Sequence, residues 1–484
     1  MQLIFCLLDR NISEIVKRYT ESERKGFHMK KIVALFLSLL AAAGLTACNS
    51  TAQLPGSGTS GTAAVGQADQ TPQTTGNVLR ALKAGTDSGR YGTSYQIDHT
   101  ILCYIDYASA SDTALCAQPS CNHASESCTA YIPKGQILSS LYAVDNQFAA
   151  FVVSPNSPDE GGPVLYLADK GGGNRRTLFQ ASSGQDFWEL ICVDDQYLYF
   201  SLSTTQEEGQ TIDLYRVPLA GGEAEAVFPL SDSQILGLSG RNLVCYSYQY
   251  AEPENLQEPQ IPEGAAQEEI DQMMMEYQEA FVGTHRVFLH SIDDGTEQEL
   301  ESWTSTMGNE GRVQYWQDDR LYWLDSNWNK QQQVIHWTDE NRQTGEVALT
   351  RPDQALQDIQ NNKEGDFRVE RLELVLENRA MLTVRGPETR RYAVDLETGS
   401  VTEIPLRYQS NGKEIPVAIL GQSSDSLLVE IEVQMKDVTY IQDDGTPTMN
   451  GAAIGRYALI PFADFFAGKP NYREVTTQYI QTIW

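Results

Sequence analysis

Four side chains in one short stretch have the chemistry to hold a soft metal ion. They are Cys116, Cys121, His123 and Cys128, spaced Cys-x4-Cys-x-His-x4-Cys. Three thiolates and one imidazole make up the ligand set of a closed, tetrahedral Cys3His zinc site. Cys121 and His123 are two residues apart, so an extended segment carries both to one side, and the four-residue spacers let the chain fold back. Pro119 and Asn122 mark the stretch as a loop. Four protein ligands leave no coordination position for water, so zinc here would be structural. The spacing is not that of a zinc ribbon or a zinc knuckle. Two other uses of the thiols stay open: a disulfide within the cluster or to Cys103, which would leave one thiol over, and a catalytic or redox role.

Cys48 points to a different chemistry. Met29-Lys30-Lys31 is followed by an apolar run over 32–40, then by small residues, then by Leu45-Thr46-Ala47-Cys48. A positive start, a short apolar core and a small-residue cleavage zone form an export signal. The run is too short to span a bilayer comfortably as a permanent helix. Leu45-Thr46-Ala47-Cys48 resembles the lipobox of bacterial lipoproteins. That resemblance implies a covalent diacylglycerol on the Cys48 sulfur, cleavage just before it and acylation of the new amino terminus. Several acyl chains anchor stably where one alone is marginal. Residues 29–47 are then the lipoprotein signal peptide, and residues 1–28, with their mixed-charge run Glu21-Ser22-Glu23-Arg24-Lys25, an over-extended start. The expected location is the extracytoplasmic face of the cell membrane, reached through the lipid anchor.

No catalytic set is picked out. Gly237-Leu238-Ser239-Gly240 misses the spacing of a nucleophile elbow, and there is no phosphate-binding or dinucleotide fingerprint. His99, His285, His290 and His336 fall in no ligand or triad motif, and His290 and His336 alternate with apolar residues as structural histidines do. The paired acids Asp194-Asp195, Asp318-Asp319 and Asp443-Asp444 sit where hairpin turns are expected, and turn geometry accounts for them. Cys103, Cys192 and Cys245 lie singly in apolar runs and read as small buried hydrophobes.

The elements that must position these residues read as strands. Residues 48–78 are rich in Ser, Gly, Thr, Gln and Pro and make a flexible linker of about 30 Å reach. From residue 95 to 484, short Val, Ile, Leu, Tyr and Phe runs alternate with Asp, Asn and Gly turns. Val144-Asp145-Asn146-Gln147-Phe148, Val193-Asp194-Asp195-Gln196-Tyr197 and Gln317-Asp318-Asp319-Arg320-Leu321 are copies of one hairpin. Weaker copies lie at 240–246, 377–383 and 424–429, and a first copy is expected at 97–104. A second hairpin follows each, as in Asp169 to Gly173, Leu219 to Gly222, Asp294-Gly295 and Thr398-Gly399. A repeat of roughly 45–60 residues with several strands per unit predicts an all-β fold, a β-propeller of seven blades by this count, with six or eight as neighbours and a pair of β-sandwiches as the rival.

An acidic insertion over 251–283 interrupts the repeat, with a helix expected near 265–281. Ile270, Met273, Met274 and Tyr277 form one apolar stripe on it, expected to lie on a neighbouring blade, with a methionine-rich partner surface as the second reading. Trp303, Trp316, Trp323, Trp328 and Trp337 gather around the fifth unit, where they can stack sugars or fill the core.

The chain carries 65 Asp and Glu against 35 Lys and Arg, a net charge of −30. That excludes nucleic acid as a partner and leaves no electrostatic hold on anionic lipid. Leu115-Cys116-Ala117-Gln118-Pro119-Ser120-Cys121-Asn122-His123, with Cys128 beyond, is similar to a motif in uncharacterised lipoproteins of gut Firmicutes. There it follows a lipobox and a polar linker and precedes propeller repeats like those of the domain of unknown function DUF5050. The resemblance implies the layout of the mature chain and no activity. The expected function is a membrane-anchored binding or protein-interaction module for a protein, peptide or glycan. The alternative is a propeller-type carbohydrate-active enzyme using Asp or Glu carboxylates.

Overall fold

The computed structural model describes residues 78–483, apart from 97–98, 146–147, 158–160, 207–208, 231–232, 252, 254–255, 257–258, 263, 308–310, 331, 362–366, 411, 442–446 and 481. The segments read as an over-extended start (1–28) and a signal peptide (29–47), Cys48 and nearly all of the expected linker lie outside the described residues, as do Asp443 and Asp444.

Among the described residues the alternating runs form seven antiparallel sheets built mainly from chain neighbours, the blades of a β-propeller, beside one two-stranded hairpin, Arg407–Ser410 with Lys413–Pro416. The second to seventh blades span 136–180, 185–229, 233–306, 312–348, 368–403 and 418–474. The first is built on Gly89–Tyr95, His99–Asp106 and Ser111–Ala114. Central strands are apolar without a break because both faces of a blade are covered, as in Ile101-Leu102-Cys103-Tyr104-Ile105, all 6% exposed or less. The core is therefore a set of blade-to-blade seams. Leu190, Phe200 and Val217 of the third blade meet Val152, Leu165 and Leu167 of the second. Tyr315, Leu324 and Ile335 of the fifth meet Leu372, Leu382 and Val394 of the sixth. Leu428, Tyr457 and Leu459 of the seventh share a seam with Tyr91, Leu102 and Ile105 of the first, which closes the circle.

Closure uses segments far apart in sequence. Thr482–Ile483 pairs with Gly92 and Thr93 of the first blade, beside Gly85–Thr86 on the same strand. The folded domain thus begins before residue 95. Arg80–Ala81 extends the third blade by pairing with Cys192 and Val193, and Lys83 bridges to Ala143 of the second. Two-residue strands carry no visible alternation, so sequence pattern passes over them.

Six of the expected hairpin copies are the turns between the first two strands of blades two to seven. The copy expected at 97–104 is one strand out of step. In the first blade the equivalent turn is Asp87-Ser88, between Thr86 and Gly89. The turn acids do backbone work. Asp145 accepts the Phe148 N–H at 2.8 Å, and Asp194 those of Gln196 and Tyr197 at 2.8 and 2.7 Å. Asp318 and Asp319 take φ of 52° and 57°, the left-handed values a tight two-residue hairpin requires.

Helix α1, Gln267–Glu279, sits in the insertion between Asn242–Ala251 and Val282–Ser291 of the fourth blade. It starts without a side-chain cap but has Glu268 and Glu269 in its first turn, where the helix dipole favours them. Gln267–Asp271 and Gln272–Glu276 bonds support it along one side. The expected burial of its stripe on a neighbouring blade does not occur. No residue of the helix is buried, and Ile270, Met273, Met274 and Tyr277 are only half-covered.

Candidate metal centre

The loop carrying the cysteines grows out of the first blade's edge. Its two feet stand on one residue. Leu115 N–H donates to the Leu102 carbonyl and Leu102 N–H donates to the Ala130 carbonyl, both at 2.8 Å. Beyond the feet, Ser111–Ala114 and Tyr131–Pro133 flank the same strand, His99–Asp106. Between them the chain turns tightly, with Ser120 at φ 59° and His123 at φ 57°. Gln118 Nε2 crosses the loop to the Ser127 carbonyl at 2.8 Å.

All four sequence-predicted residues come together. The Cys116, Cys121 and Cys128 sulfurs and a His123 ring nitrogen lie within 4.8 Å of one another. His123 Nδ1 is 3.3 Å from Cys128 Sγ, and the His123 N–H points to Cys121 Sγ at 3.4 Å. Zinc–sulfur bonds of about 2.3 Å arranged tetrahedrally place sulfurs about 3.8 Å apart, so the cluster fits a single ion with small adjustment. Among the described residues this is the one group of its kind. It can hold a metal.

Cys128 is 2% exposed, while Cys116 and Cys121 are partly open. Burial, and then the neighbouring thiols, push the Cys128 thiol up to about 12. Burial also opposes ionisation of Cys116, but the Gln118 backbone N–H and the Cys128 and Cys121 thiols outweigh it and draw that thiol below its usual value. Burial lowers His123, favouring the neutral imidazole that ligates metals. A divalent cation would supply the charge that lets the buried thiols ionise. The six described cysteines are free thiols. Cys103, Cys192 and Cys245 are wholly buried among apolar neighbours, the small-hydrophobe role expected of them.

The second blade braces the loop. Gly172, at φ 80°, passes so close that a Cβ there would lie 1.9 Å from the Leu115 carbonyl oxygen. On the other flank, the His123 ring meets Tyr479, a contact no sequence signal announced.

Elsewhere, core packing claims Trp316 and Trp328, 2% and 1% exposed. Trp303 and Trp323 both face the Arg312 guanidinium, at 3.2 and 5.1 Å. His290 stacks on Phe228, and His336 on Trp323. His285 is fully buried in a polar relay that motif reading missed. Tyr246 Oη lies 2.7 Å from its Nδ1 and Ser305 Oγ 2.6 Å from its Nε2, which ties three strands of the fourth blade together. A groove of about 420 Å³ beside α1 holds Asp271 and Glu279. Eight residues along a helix set their backbones about 12 Å apart.

No family model and no curated protein matches the chain. Among solved structures it is similar to a prolyl endopeptidase, at 13% identity over 80% of this chain and 55% of that one, with a TM-score of 0.43. It is similar to puromycin hydrolase at 11% identity over 80% and 59%, TM-score 0.39. It is also similar to oligogalacturonate lyase from Vibrio parahaemolyticus at 8% identity over 83% and 86%, TM-score 0.37. The chain spans little more than half the length of the endopeptidase, and at these scores no activity is carried over from any of them.

Proposed function

We propose that this protein is a lipid-anchored, extracytoplasmic propeller that works as a binding module, with a structural zinc ion pinning the edge of its first blade. Cys48 carries the diacylglycerol anchor, and residues 48–78 tether the domain to the membrane. Cys116, Cys121, His123 and Cys128 bind the zinc. Four protein ligands fill a tetrahedral shell, so the ion supports the loop and performs no chemistry on a substrate.

One observation carries the binding reading. The blades bury their faces against each other, yet four of the eight large exposed apolar side chains among the described residues gather around one enlarged connection. Tyr248, Ile261, Met275 and Val282, each 41–51% exposed, belong to the insertion of the fourth blade or to the strands that bear it. Exposed apolar side chains brought together on one insertion are where a partner contact would form.

The test is photo-crosslinking in intact cells from Val282, just outside the replaced segment, comparing the full chain with one whose residues 252–281 are replaced by a short Gly-Ser turn. A defined crosslinked species that disappears with the insertion supports the reading. Turnover of a polysaccharide or peptide by the purified chain, abolished by a single carboxylate substitution, would replace it with the enzymatic alternative. Cys48→Ser should move the protein from the membrane to the soluble fraction.

A further inference from the structure

We propose that the methionine face of α1, together with Met307, is a docking surface for a basic, amphipathic helical segment of a partner protein. The proposal rests on the binding-module reading and names its site and partner class. The groove beside α1 is lined by Met274, Met275 and Met307, with Asp271, Glu279 and Arg368. Met307 is held in place by its N–H bond to the Phe281 carbonyl at 2.9 Å, so insertion and blade edge form one surface.

Three properties select the occupant. First, the shape is a trough along a helix, which suits a second helix laid into it. Second, the apolar atoms are largely methionine. Unbranched, polarizable side chains adapt to different partners, so apolar residues at helical spacing matter more than one fixed sequence. Third, the charge is one-sided. Helix α1 has five carboxylates (Glu268, Glu269, Asp271, Glu276 and Glu279) and no basic residue. Arg368 is the cation among the groove residues.

The same charge argues against the other occupants. A two-fold contact between copies would set this acidic face against itself. Anionic lipid is repelled for the same reason.

The test uses the full chain in detergent and fluorescence anisotropy of a labelled Lys/Leu amphipathic peptide of about 18 residues, five helical turns. Controls are a sequence-scrambled peptide, a Glu/Leu version, vesicles with and without anionic lipid, and sedimentation for self-association. Met274→Glu with Met275→Glu alters exposed or half-exposed positions, and an unchanged melting temperature verifies the fold. The Lys/Leu peptide should bind, lose at least about tenfold affinity in that variant and in Glu268→Lys/Glu276→Lys, and weaken as salt screens the charges. No binding, equal binding by the scrambled peptide, or wild-type affinity in both variants overturns the proposal. So does a dimer or a vesicle complex that the methionine variant abolishes. Cell crosslinks that survive replacement of 252–281 reject this site and leave a binding module elsewhere on the propeller; a full chain that forms no crosslinked species and binds no peptide rejects both.

Discussion

His123 meets Tyr479 edge to face, with ring centroids 5.5 Å apart. One residue belongs to the cysteine loop and the other to the segment that closes the propeller. Metal occupancy should therefore be felt at closure. The purified chain should carry about one zinc, and Cys121→Ser should lose it. Chelation should then raise amide exchange at 476–480 more than in the third-blade strands. Exchange that rises nowhere near Tyr479 on metal removal would sink the link, and a metal-free protein with blocked thiols would sink the zinc.

Asp112 fastens the same segment. Its carboxylate accepts the N–H groups of Gln478 and Tyr479, each at 2.7 Å, and that of Ile480. Backbone bonds to a charged acceptor contribute about 1.5–3 kcal/mol each before non-additivity. Asp112→Ala should cost about 3 kcal/mol by chemical denaturation and expose the closing segment to proteolysis first. A loss under about 0.5 kcal/mol would show that closure is held by packing alone.

Gly172 and Gly171 offer a paired test. Gly172→Ala puts a methyl group against the Leu115 carbonyl at a left-handed φ, while Gly171 has open space and no such φ. The first substitution should cost about 2 kcal/mol or more and weaken zinc retention; the second should be close to neutral. Equal effects would mean that the second blade does not brace the loop.

His285 predicts an acid sensitivity. Burial, and then the Arg312 charge, lower its proton affinity in the folded state. The unfolded chain then binds the proton more readily. The contribution to stability is complete above the ordinary histidine value of about 6.5 and declines as pH falls below it. His285→Gln should cost about 1–2 kcal/mol at pH 7 through the lost relay, and its melting temperature should fall less than the wild type's between pH 7 and pH 5. Parallel pH profiles would refute the assignment.

Local chemistry was legible in the residues themselves. The candidate metal cluster could be read because its four residues lie within a single loop, so spacing alone reports whether they can converge. The hairpins could be read because a turn between paired strands is a contact among near neighbours, with Asp and Gly set by backbone geometry. Burial of Cys103, Cys192 and Cys245 followed from the apolar runs around them.

What folding decided are the relationships across the propeller. Asp112 and Gln478 are 366 residues apart, and no periodicity links them. The assignment of Arg80–Ala81 to the third blade and of Thr482–Ile483 to the first depends on how the circle closes. The stripe on α1 looked like any core-facing stripe, since amphipathicity states which face is apolar and not whether something covers it. Sequence alone determined the repeating unit, the acidity and the ligand set. Tertiary structure decided which blade each end completes and that the apolar stripe of the insertion stays only half-covered, because those outcomes rest on contacts between segments that only the closed propeller brings together.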